Sequence, residues 1–325
     1  MPAPRTALNG YRPDLGTMFE LDVLMNQRGF IGNQVARVFE SAIQAGTFGK
    51  IPLKQLLKEP EVGRDSRGNY NRTNFTFEDT TFGTKEKGIE IPIDRRQSKM
   101  YRSFFDFETV CTATALDIVL RAQEKRVTDL IFNATTFAAR TTGVTNEWDD
   151  FTNATPVTDV NNAVMAIWQA CGLWANALII NRKVFRNLRR CDEVTDLIAS
   201  QGAGSSIEPS KITAAVLASV FDLRYVIVAG GARDTANEGQ AVSISSIWSD
   251  EYAMVARIAE TDQIEEPCVA RTLHWGEDGS TIGGTIETYY EDQSRGDVCR
   301  VRHEVEEKII FTEAGHLLSN ITTAA

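Results

Sequence analysis

A chain of 325 residues, 42% hydrophobic and 24% charged, has an ordinary globular composition and the length for more than one core, which excludes wholesale disorder. Its formal net charge of −10 excludes a dedicated nucleic-acid binder, which needs a dense cationic face. The same charge suits a protein that stays dissolved at high concentration.

Residues 1–50 are broken by Pro2, Pro4, Gly10, Pro13 and Gly16, and read as an arm that cannot bury itself. Ile51–Leu57 reads as extended or weakly helical. Phe75 and Phe77 alternate with Thr76, and Ile89, Ile91 and Ile93 alternate with polar neighbours, so both stretches read as strands. Between Ile51–Leu57 and these strands lies the polar tip Gly63–Asn69. The whole is a long hairpin with little apolar area, which needs a surface to lie on. It exceeds the length of an ordinary catalytic lid and reads as an arm that packs on another subunit.

Tyr101–Asn133 carries the longest helical pattern, with Phe107, Val110, Cys111, Ala115, Ile118, Val119 and Ala122 at spacings of three and four. Such a helix is on the order of 40 Å long. Within it, Glu124 is expected to pair with Arg121, Lys125 or a neighbouring strand. After a polar connection, Val160, Val164, Ile167, Trp168 and Cys171 mark a helix capped by Thr158 or Asp159.

Leu173–Ala259 reads as one compact α/β unit. Its buried strands are Ala177–Ile180 and Tyr225–Val228, with a later one within Ile244–Ala259, and its helices cover Lys183–Leu188, Glu193–Ile198 and Pro209–Phe221. Thr285–Tyr290 and Val298–Val305 are two further strands, the second extended by Lys308–Phe311. They are placed against the long helix, closing a discontinuous subdomain from both halves of the chain.

Chemistry is sparse. His274, His303 and His316 have no metal-ligand spacing, there is no GxSxG elbow, and no CxxC pair joins Cys111, Cys171, Cys191, Cys268 and Cys299. Neither a disulfide frame nor a zinc site is expected, and a reducing interior is. Gly202-Ala203-Gly204-Ser205-Ser206 lacks the ending of a phosphate loop and reads as a mobile loop. The basic run Arg182, Lys183, Arg186, Arg189 and Arg190 spreads around a helix as a solvated face. Trp168, Trp174, Trp248 and Trp275 read as core residues. No run reads as a secretion signal or a bilayer span. No catalytic residue, metal or cofactor is expected.

Several stretches taken together resemble the major capsid protein of tailed double-stranded-DNA bacteriophages, with the Hong-Kong-97-type (HK97-like) fold. They are Thr81–Asp94, Leu120–Val127, Asn176–Asn181 through Val184, Leu188 and Ile198, then Leu217–Val228, Ala236-Asn237 and Ile247–Asp250. The resemblance implies an α+β subunit in four parts: an N-terminal arm (1–48), an extended E-loop (49–95), a peripheral domain with a long spine helix (96–152 and 284–325) and an axial α/β domain (153–283). It implies self-assembly into pentamers and hexamers that close an icosahedral shell around the genome in the virion, put together in the bacterial host cytoplasm. The implied partners are copies of itself, a separate scaffolding protein, a portal, a decoration protein in some relatives, and packaged DNA by proximity, with no membrane. Candidate inter-subunit contacts are Arg64, Arg67, Phe75, Phe77, Glu124, Gly202 and Gly204. An encapsulin-type compartment shell shares the fold and is the alternative; a soluble α/β enzyme with residues 49–95 as its lid is a third reading.

Overall fold

The computed structural model describes residues 9–11, 28–64, 66–74, 76–101, 107–200, 208–293 and 295–323. Phe75, Gly202 and Gly204, and residues 1–8 and 12–27 of the expected N-terminal arm, lie outside the described residues. The described chain opens with β1 (Asn9–Tyr11), helix α1 (Gly32–Val35), β2 (Arg37–Ser41) and β3 (Ala45–Lys50). A one-turn helix, α2 (Leu53–Leu56), starts a long loop that returns as β4 (Glu78–Gly83) and β5 (Lys85–Asp94). Helices α3 (Arg95–Tyr101) and α4 (Phe107–Ile131) lead to β6 (Thr141–Gly143). Next come α5 (Pro156–Cys171), β7 (Ala177–Asn181), α6 (Arg182–Leu188) and α7 (Asp192–Ile198). After these lie α8 (Ala214–Val220), β8 (Tyr225–Ala229), β9 (Ala232–Asp234), β10 (Ile244–Ser246) and β11 (Tyr252–Ala256). The strands β12 (Ala270–Trp275), β13 (Thr285–Glu291), β14 (Gly296–Ile309) and β15 (Gly315–Ser319) follow.

The first sheet runs β1-β13-β14-β12-β2, with β5 also on β14. Residues 296–302 of β14 pair with β13 and β5 at once, so these two strands flank it. The pleat sorts its side chains by period two. Cys299, Val301 and Val305 are fully buried, the first two beneath Ala115, Leu116, Val119 and Leu120 of α4. On the opposite face Arg300 pairs with Glu90 and Glu287, and Arg302 with Asp278 and Glu287. The helix is 25 residues, about 37 Å at 1.5 Å per residue. The expected strands at 285–290 and 298–305 are both present; β14 lies against this helix with β5 beside it, and β13 flanks β14 with Ile286 in the same core.

The second sheet runs β6-β15-β11-β7-β8 and is buried on both sides. Ile179, Ile227, Met254 and Leu317 face the core shared with α4, while Leu178, Ile180, Val226 and Leu318 face the core beneath α5–α8. Two covered faces explain continuous apolar runs in place of alternation. Each such side chain contributes about 1.5–3 kcal/mol by leaving water.

Sheet membership crosses the boundary expected at 283/284. β12 lies in the first sheet beside β14, and β15 lies in the second, between β6 and β11. Other differences have local causes. Helix α5 begins at Pro156, and the carboxylate at its N-terminus comes from Glu193 of α7, which accepts from Val157 N–H at 2.8 Å and from the Thr158 hydroxyl at 3.0 Å. Asp159 instead accepts from the Trp148 indole at 3.0 Å. Gly172, at φ 71°, ends the helix. Pro209 starts a 3-10 turn, and α8 follows with Thr213 as its cap, accepting from Val216 N–H at 3.4 Å. The expected strand in Ile244–Ala259 is two strands in different sheets.

The long hairpin is also rearranged. Its ladder is β3 against β4, from Ala45↔Gly83 to Lys50↔Glu78, and Thr76 and Phe77 are in no strand. Thr76 N–H is taken by the Gln55 side chain at 2.7 Å, which occupies one edge of the backbone there. The alternating isoleucines form β5 as expected, with Ile93 in the core.

Candidate functional site

The loop from Leu57 to Phe77 stands on a fixed root. Leu53 of α2 is buried in the second core, and Leu57 lies over the α5 terminus, where a Cβ on Gly172 would come 2.7 Å from it. On β14, Glu304 accepts from Gln44 Nε2 at 2.7 Å and from the Thr84 hydroxyl at 3.1 Å, while Glu306 accepts from Gly83 N–H at 2.6 Å. These acids on the charged face of the first sheet hold the base of the β3–β4 hairpin.

On the other face, Glu307 accepts from Arg126 Nε at 3.0 Å and from Lys87 Nζ at 2.9 Å, joining α4, β14 and β5. Burial alone would raise the Glu307 carboxyl, but the hydrogen bonds and charges of Arg126 and Lys87 hold it below the ordinary carboxylate range. His303 sits between Arg126 Nη2 and Ile282 O, each at 3.3 Å. Because Arg126 only donates, the geometry assigns the imidazole proton to Nδ1, facing Ile282 O. Burial, aided by Arg126, pushes His303 down to about 4.

Of the expected contact residues, the structure brings Arg64, Arg67 and Phe77 together on this one loop. Arg64 donates to Gly68 O at 2.8 Å and lies 4.8 Å from the Tyr70 ring centre, while Asn71 reaches Glu61 O across the loop at 2.8 Å. Arg67 takes φ 107° at the tip. Val62 is 88% exposed, Tyr70 69% and Phe77 66%, so the loop carries large apolar groups that its own chain leaves in water.

Glu124 is elsewhere and is not a surface residue. It is 1% exposed, and its carboxylate accepts from Ile31 N–H at 2.9 Å, Gly32 N–H at 2.7 Å and the Trp248 indole at 2.5 Å. The expected pairings with Arg121 and Lys125 are absent because those residues pair along α4, with Asp117 and Asp129. Burial raises the Glu124 carboxyl and the three donors oppose that rise. It ties α4 to the start of α1 and to the segment before β11, a structural role inside one subunit.

Two aromatic residues expected in the core are outside it. Trp168 and Trp174 stack at 5.8 Å between ring centres on the outer side of α5, both exposed. The buried stripe of α5 is Val160, Ala163, Ile167 and Cys171, and Trp168 falls one residue beyond it. All five cysteines are buried without a disulfide partner. Among the described residues, no three His, Cys, Asp or Glu side chains gather as metal ligands, and no helix is long and apolar enough to cross a membrane.

No family model matches the chain. It is 22% identical over 282 residues to the major capsid protein of Pseudomonas phage JBD67, covering 85% of this chain and 87% of that one. It is 23% identical over 305 residues to the major capsid protein of Burkholderia phage BcepMu, covering 90% and 91%. Its fold matches the crystal structure of a phage-related protein from Bordetella bronchiseptica RB50 with a TM-score of 0.69 at 18% identity, covering 96% of this chain and 97% of that one. It also matches the capsid structure of Cyanophage P-SCSP1u with a TM-score of 0.57 at 8% identity, covering 87% and 86%. The chain is therefore similar over nearly its whole length to phage major capsid proteins, and its mixed helix-and-sheet fold is one that phage capsids use.

Proposed function

We propose that this chain is the major capsid protein of a tailed phage, a structural subunit of the Hong-Kong-97 type that assembles into pentamers and hexamers of an icosahedral head. One observation carries this reading beyond sequence similarity. The loop from Leu57 to Phe77 is anchored at its base by Glu304, Glu306 and Leu53, yet exposes Val62, Tyr70 and Phe77. A subunit that works alone gains nothing from a fixed root under an uncovered apolar loop; a subunit surrounded by copies buries it.

In this reading residues 49–95 are the E-loop, α4 is the spine helix of a peripheral domain built on the first sheet, and the second sheet with α5–α8 is the axial domain. Arg64, Arg67 and Phe77 lie where a neighbouring copy would meet them. The subunit performs no catalysis. It is made in the bacterial host and becomes part of the virion, with a scaffolding protein and a portal as its assembly partners and DNA enclosed without sequence recognition.

Expression of the chain together with any co-encoded scaffold, followed by negative-stain electron microscopy, tests this. Closed shells, tubes or capsomer rings are expected. A monodisperse monomer or dimer under every condition, scaffold included, would sink the reading.

A further inference from the structure

Two apolar patches lie uncovered on the half of the molecule built around the second sheet. The first is on α5. Met165 and Trp168 stand one turn apart on its outer side, Trp168 stacks on Trp174 just beyond the helix, and Leu57 lies over Gly172 at its end. These four side chains are 42% to 58% exposed. No charged residue occurs between Val160 and Asn181, although the outer face of such a helix is where charges ordinarily sit. Exposed Trp and Met on a face without charges have the composition of an interface centre. Arg257 donates to Trp174 O at 3.3 Å, and Arg140, Arg257 and Glu313 all lie close enough to act on the Cys171 thiol at the end of α5. The rim of this patch is therefore net positive, and neither arginine has an ion-pair partner among the described residues.

The second patch is the β9–β10 hairpin. Val242 is 72% exposed and Ile244 77%, and residues 239–249 again carry no charge. The hairpin holds its own shape, since the Asp234 carboxylate accepts from Ala236 N–H and Ser243 N–H, both at 2.9 Å. Asp234 and Glu238 are exposed and stand against Arg233 alone, so this patch is net negative. The two patches sit at opposite ends of the second sheet. β7 and β8 run parallel; Trp174 lies three residues before β7, and the hairpin starts three residues after β8. Asn181, at the far end of β7, donates to the Ser246 hydroxyl of the hairpin at 2.8 Å. A five-residue strand is about 17 Å long, so one copy cannot bring its own patches together. Two different, complementary patches on one subunit make a heterologous contact, the kind that repeats around a ring.

We propose that the β9–β10 hairpin of one copy docks on the α5 face of the next, with Val242 and Ile244 against Met165, Trp168 and Trp174. Asp234 and Glu238 then face Arg140 and Arg257. This rests on the shell reading and names one contact within its rings.

The test is a cysteine pair in the full chain, Met165→Cys with Val242→Cys, assembled as the unaltered chain is and treated with a short bismaleimide. Both positions are exposed and the five native cysteines are buried, so the reagent meets the introduced thiols. A ladder of covalent oligomers on a denaturing gel, absent from each single variant, is expected. Assemblies whose introduced thiols stay unlinked, or a link to a different polypeptide, would overturn the proposal. A second variant, Val242→Lys with Ile244→Lys, removes the apolar tip and sets cations opposite Arg140 and Arg257. It is expected to keep the melting temperature of the unassembled subunit and to lower shell yield by ~10-fold or more. Unchanged shell yield from it would equally overturn the proposal. Shell formation by the unaltered chain tests the shell reading and the cross-link tests the contact. Shells without the link sink the contact alone, and a chain that stays monomeric sinks both.

Discussion

His303 and Glu124 are both buried in the subunit, and their protonation affects stability in opposite directions. The His303 imidazole is fully buried, and its folded value of about 4 lies below the ordinary value of 6.5. Between those values the unfolded chain binds a proton that the folded chain refuses, so stability falls as pH drops from about 6.5 towards 4. The loss is at most about 3 kcal/mol, at 1.36 kcal/mol for each pH unit. Glu124, raised by burial, has the opposite sign, since its folded form takes up a proton more readily than the unfolded chain. The sum is separated by comparing His303→Gln with the unaltered subunit in urea titrations at pH 7, 5.5 and 4.5. The variant is expected to lose less stability on acidification; parallel losses in both would mean that His303 does not carry the effect. Neither residue was legible from the sequence. The partners of His303 come from α4 and from the turn after β12, and Glu124 meets a tryptophan 124 positions away.

Elements whose pattern is set within a few residues were readable, and those set by distant partners were not. The apolar runs of β7 and β8 follow from burial of both faces, and the isoleucine alternation of β5 and the stripe of α5 from burial of one face by the element's own period. β3 was missed because Ala45–Lys50, with two glycines, has a weak strand signal and is held by its ladder with β4. The cap of α5 was missed because Glu193 arrives from another helix. The turn into β13 shows how tightly such elements fit. Gly284 has φ 99°, and a Cβ there would lie 2.8 Å from Val301 Cγ1 and 3.0 Å from Leu116 Cδ1. Gly284→Ala is therefore expected to cost about 1–3 kcal/mol, through strain in the turn and overpacking under α4. Urea denaturation of the unassembled subunit measures this, and a loss below 0.5 kcal/mol, the ordinary surface level, would contradict the packing argument.

For the molecule as a whole, the long loop can be separated from the fold, and the two sheets cannot be separated from each other. None of the described residues among 63–74 belongs to either core, so deletion of 63–74 is expected to leave a soluble subunit with an unchanged urea midpoint that no longer closes shells. Normal shell yield from the deletion would show that the loop is not an assembly arm. The sheets, by contrast, interleave along the chain. β12, β13 and β14 of the first sheet lie between β11 and β15 of the second, and the core shared with α4 draws residues from Phe30 to Leu317. That interleaving sets the order of events during synthesis. Until residue 319 has been made, no strand joins β6 to β11, so a nascent chain cannot yet complete the second sheet.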